Sequence, residues 1–388
     1  MTENAFSESD ERQALRREVA KLASKFGREW FTQKARAGEK TTELWLEIGK
    51  NGYLGINIPE EYGGGGGGIG DIAAVCEELS AQGCPLLLMV VSPAICGTII
   101  TRYGTEEQKQ KWLPGLADGT GTMAFAITEP DAGTNTHNIT TTARRDGDEW
   151  VLNGRKIWIS GIDEADNVLV VSRTEDARTG KLKPCLFVVP TDAPGLEAKA
   201  IPMEIVSPEK QFTVFLDDVR LPADALVGDE DGGLVQLFAG LNPERIMAAA
   251  FSIGLARYAL RQATSYAKER TVFKTPIGAH QAIAHPLAQS HIEIELAKLM
   301  NQKAAALYDA GDDMAAGEAA NMAKYAAAEA ACDVVDRAVQ THGGNGISQE
   351  YGMAGLLVAT RAGRIAPVSR EMILNFVAMH SLGLPKSY

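Results

Sequence analysis

The chain has 388 residues, 45% of them apolar and 23% charged, with 38 basic against 50 acidic side chains and a formal net charge of −12. That length supports two or three modest domains with buried cores, and the acidic balance excludes a protein built to grip nucleic-acid phosphates. The longest apolar stretch, about Leu86 to Ile100, is broken by Ser92 and Pro93 and is too short to span a bilayer, so no integral membrane association is expected.

The opening residues MTENAFSESDERQ lack a basic start followed by an apolar run, so no secretory signal is expected and the chain reads as cytoplasmic. Residues 1–120 read as an all-α domain. Apolar side chains recur near every 3.6 residues in Leu15–Val19–Leu22–Phe26 and again in Leu44–Ile48. Cys76, Cys84, Cys96, Cys185 and Cys332 are scattered without C-x-x-C spacing, which fits free buried thiols rather than a zinc cluster or a disulfide scaffold. After Tyr62 come six glycines, Gly63 to Gly68. They satisfy G-x-G-x-x-G trivially, without the preceding strand or the lysine of a phosphate loop, and predict a flexible loop.

Residues 121–230 change texture. Apolar and β-branched runs appear at Ala124–Thr128, Trp150–Leu152, Lys156–Ser160, Val168–Val171, Leu186–Val189 and Phe212–Phe215, with hairpin signals at Asp146-Gly147 and Asn153-Gly154. Several short strands in a hundred residues predict a small sandwich or barrel. Asp229-Glu230-Asp231 reads as a solvated turn between domains. From 231 to 388 the texture is helical again, Ala-rich and long. The fold class is therefore α+β, with a β part set between two helical parts. No H-e-x-x-H pair of histidines and no G-x-S-x-G elbow is present, so metalloprotease and esterase chemistry find no residues here.

Five segments carry a more specific signal: Phe125-Ala-Ile-Thr-Glu-Pro-Asp-Ala-Gly-Thr134, Lys156-Ile-Trp-Ile-Ser160, Glu269-Arg-Thr-Val-Phe273, His280-Gln281 and Gln340-Thr-His-Gly-Gly-Asn-Gly346. In this order they resemble the acyl-CoA dehydrogenase family, and the match runs through nearly the whole chain. The resemblance implies an N-terminal all-α domain, a middle β-sandwich or barrel domain and a C-terminal four-helix bundle, assembled as a homotetramer that binds FAD. It implies flavin contacts from Phe125, Ile127, Thr128, Gly133, Thr134, Trp158 and Ser160. A flavin rim wants hydrogen-bond donors, which backbone amides and hydroxyls at these positions supply. Taken alone, Trp158 reads equally well as a core tryptophan. The resemblance also implies that Arg270, Phe273, Gln281, Gln340, Gly343 and Gly344 cradle the adenosine half of FAD across a subunit boundary, joined by Ser369 and Glu371. Taken alone, Arg270 is a helix-end cation and Gly343-Gly344 a helix stop.

Oxidising a thioester between Cα and Cβ needs a carboxylate to remove the α proton. The family places it in one of two motifs. The later motif here reads Ile365-Ala-Pro-Val-Ser369, with Pro367 where the glutamate would stand. The earlier one reads Leu241-Asn-Pro-Glu-Arg245, which makes Glu244 the candidate base, with Thr134, Asn242, Arg245, Ala366 and Pro367 lining the substrate. Asn242-Pro243 has the form of an N-cap followed by proline, predicting that a helix starts there and holds Glu244 in its first turn. Glu371 is the rival acid, on a C-terminal helix expected over Val368 to Met379. The small Ala366-Pro367 pair implies a wide pocket and a branched acyl chain. The leading reading is an acyl-CoA dehydrogenase that passes electrons to an electron-transfer flavoprotein. Same-fold alternatives are an acyl-CoA oxidase, a flavin monooxygenase and a non-catalytic flavoprotein.

Overall fold

Helices α1 (Asp10–Ala23), α2 (Gly27–Ala37), α3 (Thr42–Lys50), α4 (Ile69–Ala81), α5 (Leu87–Met89), α6 (Thr98–Tyr103) and α7 (Glu106–Asp118) form the N-terminal part of the computed structural model. The structure describes residues 8–175, 179–180, 182–230 and 232–386; the first seven residues, on which the absence of a signal was read, and Asp231 of the acidic turn lie outside them. The Ser9 hydroxyl caps α1 and a Thr105–Gln108 capping box opens α7. Val19, Leu22, Leu44 and Ile48 are buried, as their spacing predicts.

The glycine run is not a loose loop. The amides of Gly64, Gly65, Gly66 and Gly67 bond to the carbonyls of Pro59, Gly55, Ile58 and Ile56, folding the run flat against the preceding segment. A Cβ at Gly64 would strike the Ile58 carbonyl, which is why small residues stand there. The run then delivers the start of α4, where the Asp309 carboxylate accepts from the Ile69 and Gly70 amides at 2.7 and 3.0 Å.

Between α5 and α6 the stretch Val90–Gly97 winds as a π-helix, fully buried, with Pro93 inside it. Proline has no N–H for the regular ladder, and the wider turn absorbs it. Glu209 from the β domain caps this assembly, its two oxygens accepting from the Leu87 and Leu88 amides at 2.7 Å each.

Strands β1 (Met123–Ala126), β2 (Thr142–Asp146), β3 (Glu149–Ser160), β4 (Asn167–Glu175), β5 (Leu182–Pro190), β6 (Leu196–Ile201), β7 (Gln211–Pro222) and β8 (Leu226–Val227) make one sheet in the order β6-β7-β3-β2-β4-β5-β8, with β1 paired to β4. Side chains alternate along β4 and β5. Val168, Val170, Phe187 and Val189 enter the β core with Trp150, Leu152 and Val214, while Leu169, Val171, Leu186 and Val188 enter the helical core. Burial on both faces explains why these strands read as continuous apolar runs. Asp146-Gly147 does turn the β2–β3 hairpin, but Asn153-Gly154 does not turn. It is a bulge inside the single long strand β3, where the Asn153 side chain pairs with Asp218.

Helix α8 (Gly233–Glu269) runs through Pro243 instead of starting at it. Asn242 is therefore not an N-cap; its side-chain amide donates to the Asp313 carbonyl at 3.0 Å. Pro243 leaves the Ala239 carbonyl four residues back without its helical donor, and the buried Tyr308 hydroxyl fills that role at 2.9 Å. Tyr308→Phe is accordingly expected to lower stability by about 1–3 kcal/mol, the cost of an orphaned buried carbonyl. An unchanged denaturant midpoint in the variant would count against this account of how α8 passes its proline.

After the short hairpin β9 (Thr271–Val272) and β10 (Thr275–Pro276) come α9 (Gln281–Asp309), α10 (Asp313–His342), α11 (Ala354–Ile365) and α12 (Arg370–Phe376). Buried alanines on α8 (Ala249, Ala250, Ala256) and α10 (Ala320, Ala323, Ala327) let α8, α9, α10 and α11 pack as a bundle. Helix α12 is shorter than expected and ends in a π turn, Val377–Ser381.

Candidate active site

The site begins where β1 ends. Ile127 and Thr128 follow the strand, and the Thr128 carbonyl accepts the Ile157 amide at 2.9 Å, tying this end to β3. Beneath them lies an ion pair that the sequence reading passed over. Lys156, wholly buried, donates to Glu129 at 2.9 Å and to the Ile127 carbonyl at 3.0 Å. Glu129 also accepts from the amides and hydroxyls of Thr140 and Thr141, at 2.6 to 2.9 Å. Burial by itself would raise the Glu129 carboxyl; the Thr141 hydroxyl and the Lys156 ammonium outweigh it and bring the group down to about 2. The segment 128–141 is thus clamped at both ends.

Two residues after Lys156, a register shift in β3 turns Trp158 outward at φ 62°, leaving it 52% exposed. The core tryptophan of the β domain is Trp150, stacked edge-on to Phe187. A large ring held out of the core in a left-handed backbone state is a strained arrangement that packing does not require. Gly133 and Thr134 are exposed nearby in sequence, and their amides meet no acceptor among the described residues. Phe125 differs from expectation: its side chain is buried in the helical core, which leaves only its backbone for a ligand. Ser160 exchanges hydrogen bonds with Gln211, at 3.0 and 3.1 Å.

Glu244 sits mid-helix on α8, three turns further in than the first-turn position expected of it. It is half-buried, and burial pushes its carboxyl up to about 7, against the opposing pull of Arg245 and Lys324. It also faces the buried Cys96 thiol of the π-helix. Arg245 donates back to the Leu241 carbonyl at 3.0 Å and to Asn242 at 3.4 Å. Lys324, on α10, was not a sequence candidate; its ammonium donates to the Val368 carbonyl, next to Pro367. Glu371, the rival acid, has a side chain 71% exposed and is paired to Arg370 at 3.3 Å. Ser369 caps α12 through the Met372 amide at 3.4 Å. Ala366 is exposed and Pro367 half-buried.

A second group gathers at the other end of the bundle. Tyr266 stacks on His342 with centroids 4.5 Å apart and accepts from Asn345 at 3.2 Å, so the ends of α8 and α10 lie side by side. Arg270, Gln281, Gln340, Gly343 and Gly344 are all exposed there. Gly343, at φ 58°, does stop α10. Phe273 stands 88% exposed at the tip of the β9–β10 hairpin, whose two turn residues, Phe273 and Lys274, both have positive φ. Along α8, Arg270 lies about 39 Å from Glu244 at 1.5 Å per residue. Glu244 and Arg270 therefore stand well apart, as members of two candidate half-sites.

These residues fit FAD. The first half-site offers unpartnered amides, a hydroxyl and an out-turned indole; the second offers a guanidinium fork, carboxamides, side-chain-free glycine backbone and an uncovered aromatic ring. Among the described residues no group of His, Cys, Asp or Glu is arranged to hold a metal ion, and no helix is long and apolar enough to cross a membrane.

Comparison with known proteins agrees. Residues 9–120, 124–219 and 231–382 match the N-terminal, middle and C-terminal domains of acyl-CoA dehydrogenase. The acyl-CoA dehydrogenase FadE12 of Mycobacterium tuberculosis is 65% identical over 388 residues, 100% of each chain. The solved glutaryl-coenzyme A dehydrogenase glutaryl-CoA complex is similar with a TM-score of 0.92 and 31% identity, covering 99% of this chain and 98% of that one. A glutaryl-CoA dehydrogenase from Mycobacterium smegmatis in complex with FADH2 gives 0.90 and 28%, covering 98% and 96%. With three domain matches in order and a full-length relative at this identity, the chain belongs to the acyl-CoA dehydrogenase family and is an FAD-dependent oxidoreductase that dehydrogenates acyl-CoA.

Proposed function

We propose that the chain converts an acyl-CoA thioester to the trans-2-enoyl-CoA with Glu244 as the base that takes the α proton. FAD, when bound, supplies the acceptor for the β hydride at its N5. The observation that carries the reading is the contrast between two acids. Glu244 is half-buried on a rigid helix with its carboxyl near neutrality, where a base works best, while Glu371 is exposed and already paired. Trp158 would lie against the flavin and limit solvent access to it, and Thr134, Asn242, Arg245, Ala366 and Pro367 would line the substrate. Phe125, Ile127, Thr128, Gly133 and Ser160 would hold the flavin from the β domain. Arg270, Phe273, Gln281, Gln340, Gly343 and Gly344, with Ser369 and Glu371, would hold the adenosine half of a cofactor bound mainly by a neighbouring subunit.

Adding a panel of acyl-CoA esters to the protein without oxygen, then admitting air, tests this. Flavin bleaching by an ester, with slow recovery in air and fast recovery with an electron-transfer flavoprotein, is expected; fast recovery in air alone would identify an oxidase. The expected preference is for isovaleryl-CoA over butyryl-, octanoyl- and palmitoyl-CoA, because Ala366-Pro367 leaves room at the reacting carbons. One methylene in a tight pocket changes kcat/KM by roughly 10–200-fold. A straight-chain ester outpacing every branched one would defeat the pocket argument and leave the dehydrogenase intact.

The distance between Glu244 and Arg270 along α8 fits a cofactor shared between subunits, and the assembly proposed is a homotetramer; the location proposed is the cytoplasm. Light scattering should give four times the 41.5 kDa chain mass. A monomer that retains stoichiometric FAD would exclude the shared site.

A further inference from the structure

We infer that Tyr308 is a positioning residue of this reaction: its hydroxyl, on a ring clamped by Arg102, fixes α8 at the proline break and so sets where the Glu244 carboxylate stands. The inference rests on Glu244 being the base. A proline inside a helix removes one rung of the ladder and pushes its ring against the carbonyl four residues back, so the helix can bend there. Glu244 is the residue after Pro243, and a change of bend at the proline swings its side chain. The direction of the base is therefore decided by whatever holds the break.

Residues from α6, α9, α10 and the π-helix hold it. The Tyr308 hydroxyl, at the end of α9, donates to the Ala239 carbonyl at 2.9 Å from a residue only 4% exposed. The Asn242 amide donates at 3.0 Å to the carbonyl of Asp313, at the start of α10. Arg102, on α6, reaches both partners. Its guanidinium carbon lies 4.5 Å from the centre of the Tyr308 ring, and its Nη1 donates to the Asp313 carboxylate at 2.9 Å. Elsewhere on α8, Gly240 lets the helix press against Ile95 of the π-helix and Ile99 of α6; a Cβ there would stand 2.7 Å from Ile99. These faces are distinct. At 3.6 residues per turn, Asn242 lies about 200° around the helix from Gly240, whereas Glu244 lies about 40° from it. The base thus shares the face that meets the π-helix, while Asn242 grips from the opposite side. Ile99 and Arg102 are one turn apart on α6, so this short helix backs α8 at Gly240 and also locks the two residues, Tyr308 and Asp313, that grip it elsewhere. Bending α8 at Pro243 would break one of these contacts.

Tyr308→Phe in the holoenzyme tests this. Flavin bleaching by an acyl-CoA ester, counted per bound FAD, should slow by about 10- to 100-fold, the upper figure corresponding to a displacement of about 1 Å. KM should change little, and the deuterium isotope effect at Cα should grow as proton removal becomes the slow step. A hydroxyl that only stabilises the fold would lower FAD content and leave the rate per flavin and the isotope effect unchanged, which would overturn the inference. On a Pro243→Ala background α8 regains its own N–H for the Ala239 carbonyl, and Tyr308→Phe should there cost about twofold or less. An equal loss in both backgrounds would show that the hydroxyl acts elsewhere, and the inference would fail. Arg102→Met, which keeps the hydroxyl and frees the ring, should slow bleaching in the same direction by a smaller factor. If Tyr308→Phe does not fold, an unchanged rate in Arg102→Met decides against the brace. Wild-type bleaching in Glu244→Gln would overturn the base assignment and this inference with it, whereas an inactive Glu244→Gln beside an unaffected Tyr308→Phe would overturn the inference alone.

Discussion

Glu244→Gln should abolish flavin reduction by acyl-CoA, lowering kcat by at least about 10²–10⁴-fold, while FAD content and the binding of enoyl-CoA stay near wild type. The amide matches the carboxylate in size and cannot accept the α proton. Position matters as much as chemistry: Glu244 projects from the interior of a 37-residue helix whose neighbouring turns are packed against the π-helix and α10, so the substitution has little room to rearrange its surroundings. The pH profile carries a second signature. Burial raises the carboxyl to about 7 from an ordinary value of 4.5, so kcat/KM should climb as pH rises through about 7, when the base loses its proton. Stability should run the other way. The folded carboxyl keeps its proton to about 7 while the unfolded one releases it near 4.5, so this group's contribution is present at low pH and is lost as pH rises across that window. Glu244→Gln should flatten both trends. Activity that survives Glu244→Gln and vanishes in Glu371→Gln would transfer the role to the rival acid.

Lys156→Met should be the most destabilising single change near the site. It leaves Glu129 as a buried carboxylate without its cation, a loss typically worth about 3–5 kcal/mol. The damage is also functional, because the pair fastens the strand end at Ile127 to the turn at Thr140-Thr141 and sits two residues from Trp158. A drop in both the denaturant midpoint and the FAD retained on purification is therefore expected. The sign with pH follows from Glu129. Its carboxyl is held down to about 2, so the pair's contribution is complete above the ordinary carboxylate range and is lost as pH falls toward 2; the gap between wild type and variant should narrow there. A variant with wild-type stability and full FAD would show that the threonine hydroxyls alone hold the segment.

The sequence by itself determined the α–β–α order, most strand and helix positions and the family, because each rests on local signals: apolar period, turn residues and contiguous motifs. Val168–Val171 and Leu186–Val189 became β4 and β5, and Gly343 ended α10, as their residue types dictate. Local signals misled where a distant partner overrode them. Asn242-Pro243 looks like a helix start, yet α8 passes through it because Tyr308, far along the chain, supplies the donor that the proline lacks. Asn153-Gly154 looks like a turn, yet β7 pairs across it and makes it a bulge. The six glycines look mobile, yet the carbonyls of residues 55–60 and the Asp71 carboxylate hold their amides. Glu129 and Lys156 lie inside the motif segments with no local sign of their pairing, and Lys324 lies in no motif, since a charged side chain announces its role only through the buried partner it meets. Trp158, taken alone, reads equally well as a core residue, and only the register shift in β3 shows that its ring stands exposed. Chemistry-bearing residue types were legible in the chain; which of them share one low-dielectric space depended on long-range packing, and only the tertiary structure decided that.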